Sequence, residues 1–409
     1  MAAVDLKTKL AILSDAAKYD ASCASSGGVK RDSLGGRGVG STDAGMGICH
    51  AYAPDGRCIS LLKILLTNLC VYDCAYCINR VSSNVPRARF SVEEVCDLTL
   101  GFYKRNYIEG LFLSSGIIRS GDYTMGEMVR VVRTLRETHD FRGYIHLKVI
   151  PEASPDLVNQ AALYADRVSI NIELPRDESL AALAPEKDAG GIKRAMGAMR
   201  LGCEAAKEPA RKAKPPKFAP AGQSTQMIVG ADAATDGEVL KRSETLYGAY
   251  RLRRVYYSAF SPIPDSTARL PMARPPLVRE HRLYQADWLM RFYGFERAEM
   301  VGEDEDLDLA IDPKLSWALK HRGSFPVDVN VADRELLLRV PGLGVRSVDR
   351  MLRARRVKPL TLEDVRRVAR RIDKLKPFIV AADWRPVVLA DRDDLRARLA
   401  PAPEQLGLF

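Results

Sequence analysis

The sequence predicts an α/β protein in which helices flank a parallel sheet, followed by a small helical module. Three observations carry this expectation. Between about residues 58 and 300, six short runs rich in β-branched and aliphatic residues recur. Amphipathic stretches long enough for helices separate them, the alternation expected of βα units. From about residue 325 the pattern changes to short basic helices around a Pro-Gly turn. A chain of 409 residues exceeds one ordinary domain, so several units are expected.

Residues 1–57 are Gly- and Ser-rich in the middle (SSGGVKRDSLGGRGVGSTDAG) and read as a loop-like extension, not as packed helix. Strands are expected at 59–66, 110–115, 144–150, 167–174, 225–230 and 254–260. The helix after the first strand opens on Ser91 with Glu94 three residues later, a capping box. Six such strands fit either an open sheet or an incomplete barrel. The stretch EAAKEPARKAKPPKFAPAG (204–222) has no period and reads as a mobile surface loop. Residues 301–324 read as a connector, 325–385 as a helical domain and 386–409 as a tail.

Composition narrows the function. With 46% hydrophobic and 28% charged residues the chain is neither largely disordered nor fibrous. Its most apolar run, Cys58 to Cys70, is broken by Lys63, so no transmembrane helix is expected. MAAVDLKTKL lacks the apolar core of a signal peptide. A cytoplasmic location and no membrane partner are expected, and the eight cysteines read as ligands or packing residues. Between Pro341 and Lys376 twelve Lys or Arg face four Asp or Glu. That local excess suits either an anionic polymer such as nucleic acid or a pair of solvated surface helices.

Cys70, Cys74 and Cys77 stand in NLCVYDCAYCINR, a C-x3-C-x2-C loop just after the first strand. Three thiolates on one tight loop can converge on a single metal centre. Structural zinc would want a fourth Cys or His nearby, and none follows at the expected spacing. Three ligands suit a cubane iron–sulfur cluster that keeps one iron open. Cys96, within an amphipathic helix, and Cys203, beside a helix end, read as core packing. Cys23, Cys49 and Cys58, with His50 adjacent, read as ligands of a second cluster or as a cover over the first.

With Tyr76 before the last cysteine, this loop resembles the motif of the radical S-adenosylmethionine superfamily, over roughly residues 58–300. The resemblance implies a partial (β/α)6 barrel and a 4Fe-4S cluster held by Cys70, Cys74 and Cys77. It also implies S-adenosyl-L-methionine bound at the open iron, and an electron donor to reduce the cluster. Reductive cleavage then gives methionine and a 5′-deoxyadenosyl radical, while the protein binds, orients and excludes side reactions. The small-residue motif after the second strand falls on Ser114, Ser115 and Gly116. It departs from the usual Gly-Gly-Glu, so a backbone role carries over better than an acidic one. Tyr76, Lys148, Asn171, Glu173 and Gln226 are the other residues expected at the cofactor. Asn171 and Glu173 lie two apart and so share a strand face. The alternative for Glu173 is an ion pair with Lys148 or Arg176.

VDVNVADRELLLRVPGLGVRSVDRMLRARR reads as a helix over 332–340, a tight turn, and a helix over 345–356. The turn Pro341-Gly342-Leu343-Gly344 resembles a helix-hairpin-helix motif, which binds DNA without reading sequence. Gly342 and Gly344 let backbone N–H groups approach a phosphate, and the second helix offers its positive end. Arg346 and Arg350 add charge there, and such contacts position a protein on the duplex. LTLEDVRRVARRIDKLKPF reads as a companion hairpin with a degenerate turn. A purely structural turn is the alternative. Gln405, Leu406, Leu408 and Phe409 of the terminal EQLGLF resemble the peptide by which bacterial replication and repair proteins dock on the DNA sliding clamp. The alternative is an apolar terminus that folds back on its own domain.

Together, the barrel, the hairpin module and the Cys-containing extension resemble a family of DNA modification or repair radical enzymes. That family is associated with a uracil-DNA-glycosylase-like partner. The resemblance implies an enzyme that directs a deoxyadenosyl radical at a nucleotide in DNA. An RNA- or tRNA-modifying enzyme and a non-enzymatic iron–sulfur DNA sensor are the alternatives.

Overall fold

A computed structural model of the chain describes residues 4–18, 47–52, 58–208, 217–264, 267–369, 372–386 and 394–400. The chain divides into two compact units, Met1–Ala234 with Thr245–Pro275, and Thr235–Glu244 with Pro276–Phe409.

The first unit opens with α1 (Leu6–Ala17), capped by Asp5, whose side chain accepts from the Lys7 and Thr8 amides. Seven strands then join one sheet in sequence order: β1 (Ile48–Tyr52), β2 (Cys58–Leu65), β3 (Gly110–Ser114), β4 (Tyr144–Lys148), β5 (Arg167–Ser169), β6 (Gln223–Val229) and β7 (Arg254–Ala259). β1 is antiparallel to β2, and every later pair is parallel. The crossovers carry α2 (Val92–Lys104), α3 (Gly121–Arg133), α4 (Pro155–Tyr164), α5 (Asp177–Leu183), α6 (Ala189–Ala205) and α7 (Asp236–Tyr250). Parallel strands in unbroken order, joined by crossovers of one hand, place every helix on the same face, and the sheet curls away from it. The two end strands do not pair with each other. The architecture is the incomplete barrel of the two forms expected. Ser91 and Glu94 form the capping box of α2.

The strands follow the sequence reading, with one correction. Leu61, Leu62, Ile64, Leu111, Leu113, Ile145 and Leu147 are all buried, on both faces of the sheet, hence the continuous apolar runs. The fourth barrel strand pairs regularly only to Ser169, not to 174, for a reason given below. The extension expected as a loop contributes α1 and β1. Cys49 on β1 lies opposite Leu61 and packs with Ile59, Leu61 and Phe112. β1 thus covers an edge that would otherwise offer unpaired amides.

The second unit is helical: α8 (Leu277–Phe292), α9 (Arg297–Met300), α10 (Pro313–Lys320), α11 (Arg334–Arg339), α12 (Val345–Ala354), α13 (Leu362–Val368), α14 (Ile372–Leu375) and α15 (Leu395–Leu399). A two-residue parallel pair, β8 (Val327–Asp328) and β9 (Ile379–Val380), ties it together. The stretch expected as a connector holds α10, which starts at Pro313 under an Asp312 cap. Its Trp317 sits edge-on to Phe295 and Phe325, with ring centroids 5.5 and 6.2 Å away. The helical unit therefore begins near Pro276 and not at 325. No helix among the described residues is long and apolar enough to cross a membrane.

Candidate active site

The cysteine loop is wound around a cation. The Arg87 guanidinium donates to four carbonyls, those of Asn68 (2.5 Å), Asn79 (2.9 Å), Arg80 (2.6 Å) and Ser83 (2.8 Å). A planar fork of five donors suits such a convergence, which a lysine could not reproduce. Asn68 closes the base of the loop, donating to Pro86 O and accepting from the Ala88 amide, both at 2.8 Å. The Val71 amide reaches Ile117 O (2.8 Å) and the Ala75 amide reaches Leu183 O (2.7 Å), fastening the loop to the barrel mouth. The Ile117 amide points at Cys70 Sγ and the Asn79 amide at Cys77 Sγ, each at 3.4 Å.

Gly116 acts by having no side chain. A Cβ there would lie 2.5 Å from Leu69 O, one residue before Cys70. Gly116→Ala should therefore push the loop outward, destabilising the fold by about 1–3 kcal/mol, as overpacking does. Urea unfolding and iron retained after reconstitution would show it. A variant unchanged in both would mean the close approach is not needed.

One cavity sits at the carboxyl ends of the barrel strands. All eleven cluster and cofactor residues expected from sequence line it: Cys70, Cys74, Cys77 and Tyr76, then Ser114, Ser115 and Gly116, then Lys148, Asn171, Glu173 and Gln226. Ala16 of α1 also reaches it. Among the described residues, no three His, Cys, Asp or Glu side chains converge tightly enough for a single metal ion. The three thiols line the cavity together, and their number suits a cluster that leaves one iron open. Burial pushes the Cys74 thiol up to about 12 and that of Cys77 to about 11. Both stay protonated near neutrality until a bound metal displaces the proton. The Tyr76 hydroxyl is buried among these residues with no hydrogen-bond partner, an acceptor or donor left for a ligand.

Glu173 is aimed by a bulge. Ser169 pairs with Ser224, and the next registered contact is Glu173 with Met227. Four residues on one strand thus face three on the other, one residue too many. The extra length is absorbed at Glu173, whose φ is +67°. The Ile172 amide, displaced from the ladder, donates to Thr225 Oγ1 at 2.8 Å. Regular pairing stops at Ser169 because of this bulge. The shared-face argument for Asn171 and Glu173 therefore does not hold here, although both side chains reach the cavity. Asn171 Nδ2 donates to Glu173 Oε2 at 3.4 Å.

Lys187, which the expectation of Lys148 or Arg176 did not include, pairs with Glu173, its Nζ donating directly to the carboxylate. Burial alone would raise the Glu173 carboxyl, but Lys187 and then Lys148 hold it below the ordinary carboxylate range. Burial would lower Lys187, yet Glu173 holds its ammonium well above the usual lysine value. Lys187 lines the cavity, as do Tyr72 and Glu152. Sequence reasoning misses all three. The signal available for Lys187 was a buried acid at a strand end that requires a cation.

No family model and no curated protein matches the chain. Solved structures do. One is HydG, a maturase of the FeFe-hydrogenase (14% identity, 55% of this chain and 48% of that one, TM-score 0.42). A second is HydG from Carboxydothermus hydrogenoformans (14% identity, 54% and 48%, TM-score 0.40). A third is methylornithine synthase, PylB (12% identity, 75% and 84%, TM-score 0.43). The chain spans about half the length of the HydG structures it matches.

Among the described residues, Cys49 and Cys58 do not come together. Cys49 is buried on the face shared with Ile59 and Leu61, whereas Cys58 is exposed and, one residue before Ile59, projects from the opposite face. These two cannot ligate one cluster from these positions, and Cys23 lies outside the described residues. Cys96 is buried as expected, and Cys203 is half-buried within α6.

In the second unit α11 and α12 flank the turn Pro341-Gly342-Leu343-Gly344. α11 begins at Arg334 and not at Ala332, because the Asp333 side chain caps it by accepting from the Leu336 amide at 2.7 Å. Gly342 has φ +86°, a left-handed conformation that glycine adopts without strain. Gly344 is the extended N-cap of α12, and no side chain caps that helix end. Arg346 and Arg350 are exposed, one turn apart on α12. The companion stretch forms α13 and α14, with residues 370–371 outside the described set. Gln405, Leu406, Leu408 and Phe409 also lie outside it.

Proposed function

We propose that the first unit is a radical S-adenosylmethionine enzyme and that the second holds it on DNA. The observation that carries the first half is the convergence of eleven sequence-selected residues, three of them cysteines, on one cavity at the strand ends. A 4Fe-4S cluster on Cys70, Cys74 and Cys77, reduced by an electron donor, would supply the electron that splits S-adenosyl-L-methionine into methionine and a 5′-deoxyadenosyl radical. The chain's own residues do the rest. Glu173, kept ionised by Lys187, offers acceptor oxygens for ribose hydroxyls, and Asn171 adds an amide beside it. Ser114, Ser115 and the backbone at Gly116 accept the amino group of the cofactor. Ile117, Ile150 and Ile228 give the cavity apolar walls that limit water near a reactive radical.

The DNA half rests on the left-handed Gly342, the uncapped start of α12 and exposed Arg346 and Arg350. Gly342→Val should weaken duplex binding at least tenfold by straining the turn, while reconstituted iron stays at the wild-type level. Wild-type binding should weaken steeply with salt, with a slope of about −0.9 per phosphate neutralised. Preference for tRNA over duplex DNA would favour an RNA substrate. Absence of 5′-deoxyadenosine after reduction would favour a sensor. Product analysis on damaged oligonucleotides, after anaerobic reconstitution, tests the enzyme reading directly.

Docking of Gln405–Phe409 on a DNA sliding clamp, and association with a uracil-DNA-glycosylase-like protein, belong to the same proposal. Deleting residues 405–409 should abolish capture by immobilised clamp and leave DNA affinity unchanged.

A further inference from the structure

The second unit holds its own open cavity that the function above does not use. One wall is α8, where Tyr284 and Trp288 stand one turn apart and so share a face. Trp288 is 52% exposed, a large apolar ring left open to the cavity and the solvent. It leans on Phe292, with ring centroids 4.3 Å apart. The opposite wall is the turn from Gly342 to Gly344. Between them lies Lys314 of α10, buried, its Nζ donating to Leu343 O at 2.6 Å and lying 4.7 Å from the centre of the Tyr293 ring. Burial lowers this lysine to about 7.

We propose that this cavity takes a nucleobase, unstacked from the strand whose phosphates the hairpin turn holds. The proposal rests on the DNA reading of the second unit. The rings of Tyr284 and Trp288 suit a planar heterocycle and accept any base, because every base has a π-face, while Lys314 lies over the Tyr293 ring. The turn wall has no Cβ at the exposed Gly342, so a sugar–phosphate backbone can approach the turn closely there. The charged residues lining the cavity are Asp312 and Lys314. The twelve-to-four excess of basic residues from Pro341 to Lys376 follows the turn in sequence, where it favours a polyanionic strand over a neutral apolar peptide. A base in the cavity and its phosphate on the turn would be linked contacts, each strengthening the other.

The test uses the full chain and two duplexes of one sequence, fully paired or carrying a single bulged 2-aminopurine. The wild type should bind the bulged duplex about tenfold more tightly and quench its fluorescence, as stacking on an indole does. Trp288→Ala should lose both the preference and the quench, with affinity for the paired duplex unchanged. Trp288→Phe, which keeps a ring, should restore most of the preference. A preference and quench that survive in Trp288→Ala would overturn the base site, as would a wild type that binds both duplexes equally. A wild type that binds neither duplex would overturn the DNA reading itself, a distinguishable result.

Discussion

Replacing Cys70, Cys74 and Cys77 together by alanine should give a folded protein that holds no iron on this loop and forms no 5′-deoxyadenosine. The loop does not depend on its thiols for shape. Arg87 organises four of its carbonyls and Asn68 closes its base, and neither interaction passes through sulfur. Loss of iron would thus report lost ligands and not a lost fold, and an unchanged urea midpoint would confirm the distinction. The wild type should carry about four irons per chain after anaerobic reconstitution, as one cubane requires, and the variant close to none. Full iron content in the variant would overturn the assignment. A wild type with about eight irons whose variant keeps about four would instead place a second cluster elsewhere. Cys49 and Cys58 would then have to leave the opposite faces on which β1 and β2 hold them.

The parts of this site that were legible in sequence are those encoded within a few residues. The cysteine spacing, the capping box of Ser91 and Glu94, the Gly342 turn and the strand ends at Ser114 and Lys148 all depend on local order. What was missed depends on residues far apart in the chain. Arg87 looks like any surface arginine until the loop closes over it. Lys187 lies beyond α5, fourteen residues after the acid it neutralises, and no periodicity links them. β1 is five residues flanked by glycine, and only the exposed edge of β2 makes it a strand. Glu173 shows the subtler failure. Alternation pointed to a residue that does line the cavity, but the regular strand had already ended, and a one-residue bulge does the aiming. A bulge changes register without changing composition, so hydrophobic pattern alone does not reveal it.

The buried pair behind that bulge should show the second large effect. Lys187→Met would leave the Glu173 carboxylate, 9% exposed, without its cation. Breaking a buried pair from one side destabilises by about 3–5 kcal/mol, because an uncompensated charge remains. Glu173→Gln should be less severe, since the Lys187 ammonium keeps a neutral acceptor, and the double variant should recover much of the loss. The pH dependence carries a definite sign. In the wild type, the stabilisation from Glu173 is present above the ordinary carboxylate range and is lost as pH falls through its lowered value. That from Lys187 is present below the ordinary lysine value and is lost as pH rises through its raised one. Stability from this pair is therefore flat across neutrality. In Lys187→Met burial outweighs the remaining Lys148 charge and the Asn171 amide, the Glu173 carboxyl rises, and stability should fall as pH increases above the ordinary carboxylate range. Urea unfolding of the wild type, both single variants and the double variant, from pH 5 to pH 8, would measure this. Equal stability of wild type and Lys187→Met at every pH would show that the pair is solvated and does not shape the cavity. A double variant that regains its fold but no longer binds S-adenosyl-L-methionine would identify the Glu173 carboxylate as a group that touches the cofactor. The bulge would then be the feature that sets the acid at the cavity, with Lys187 keeping it charged there.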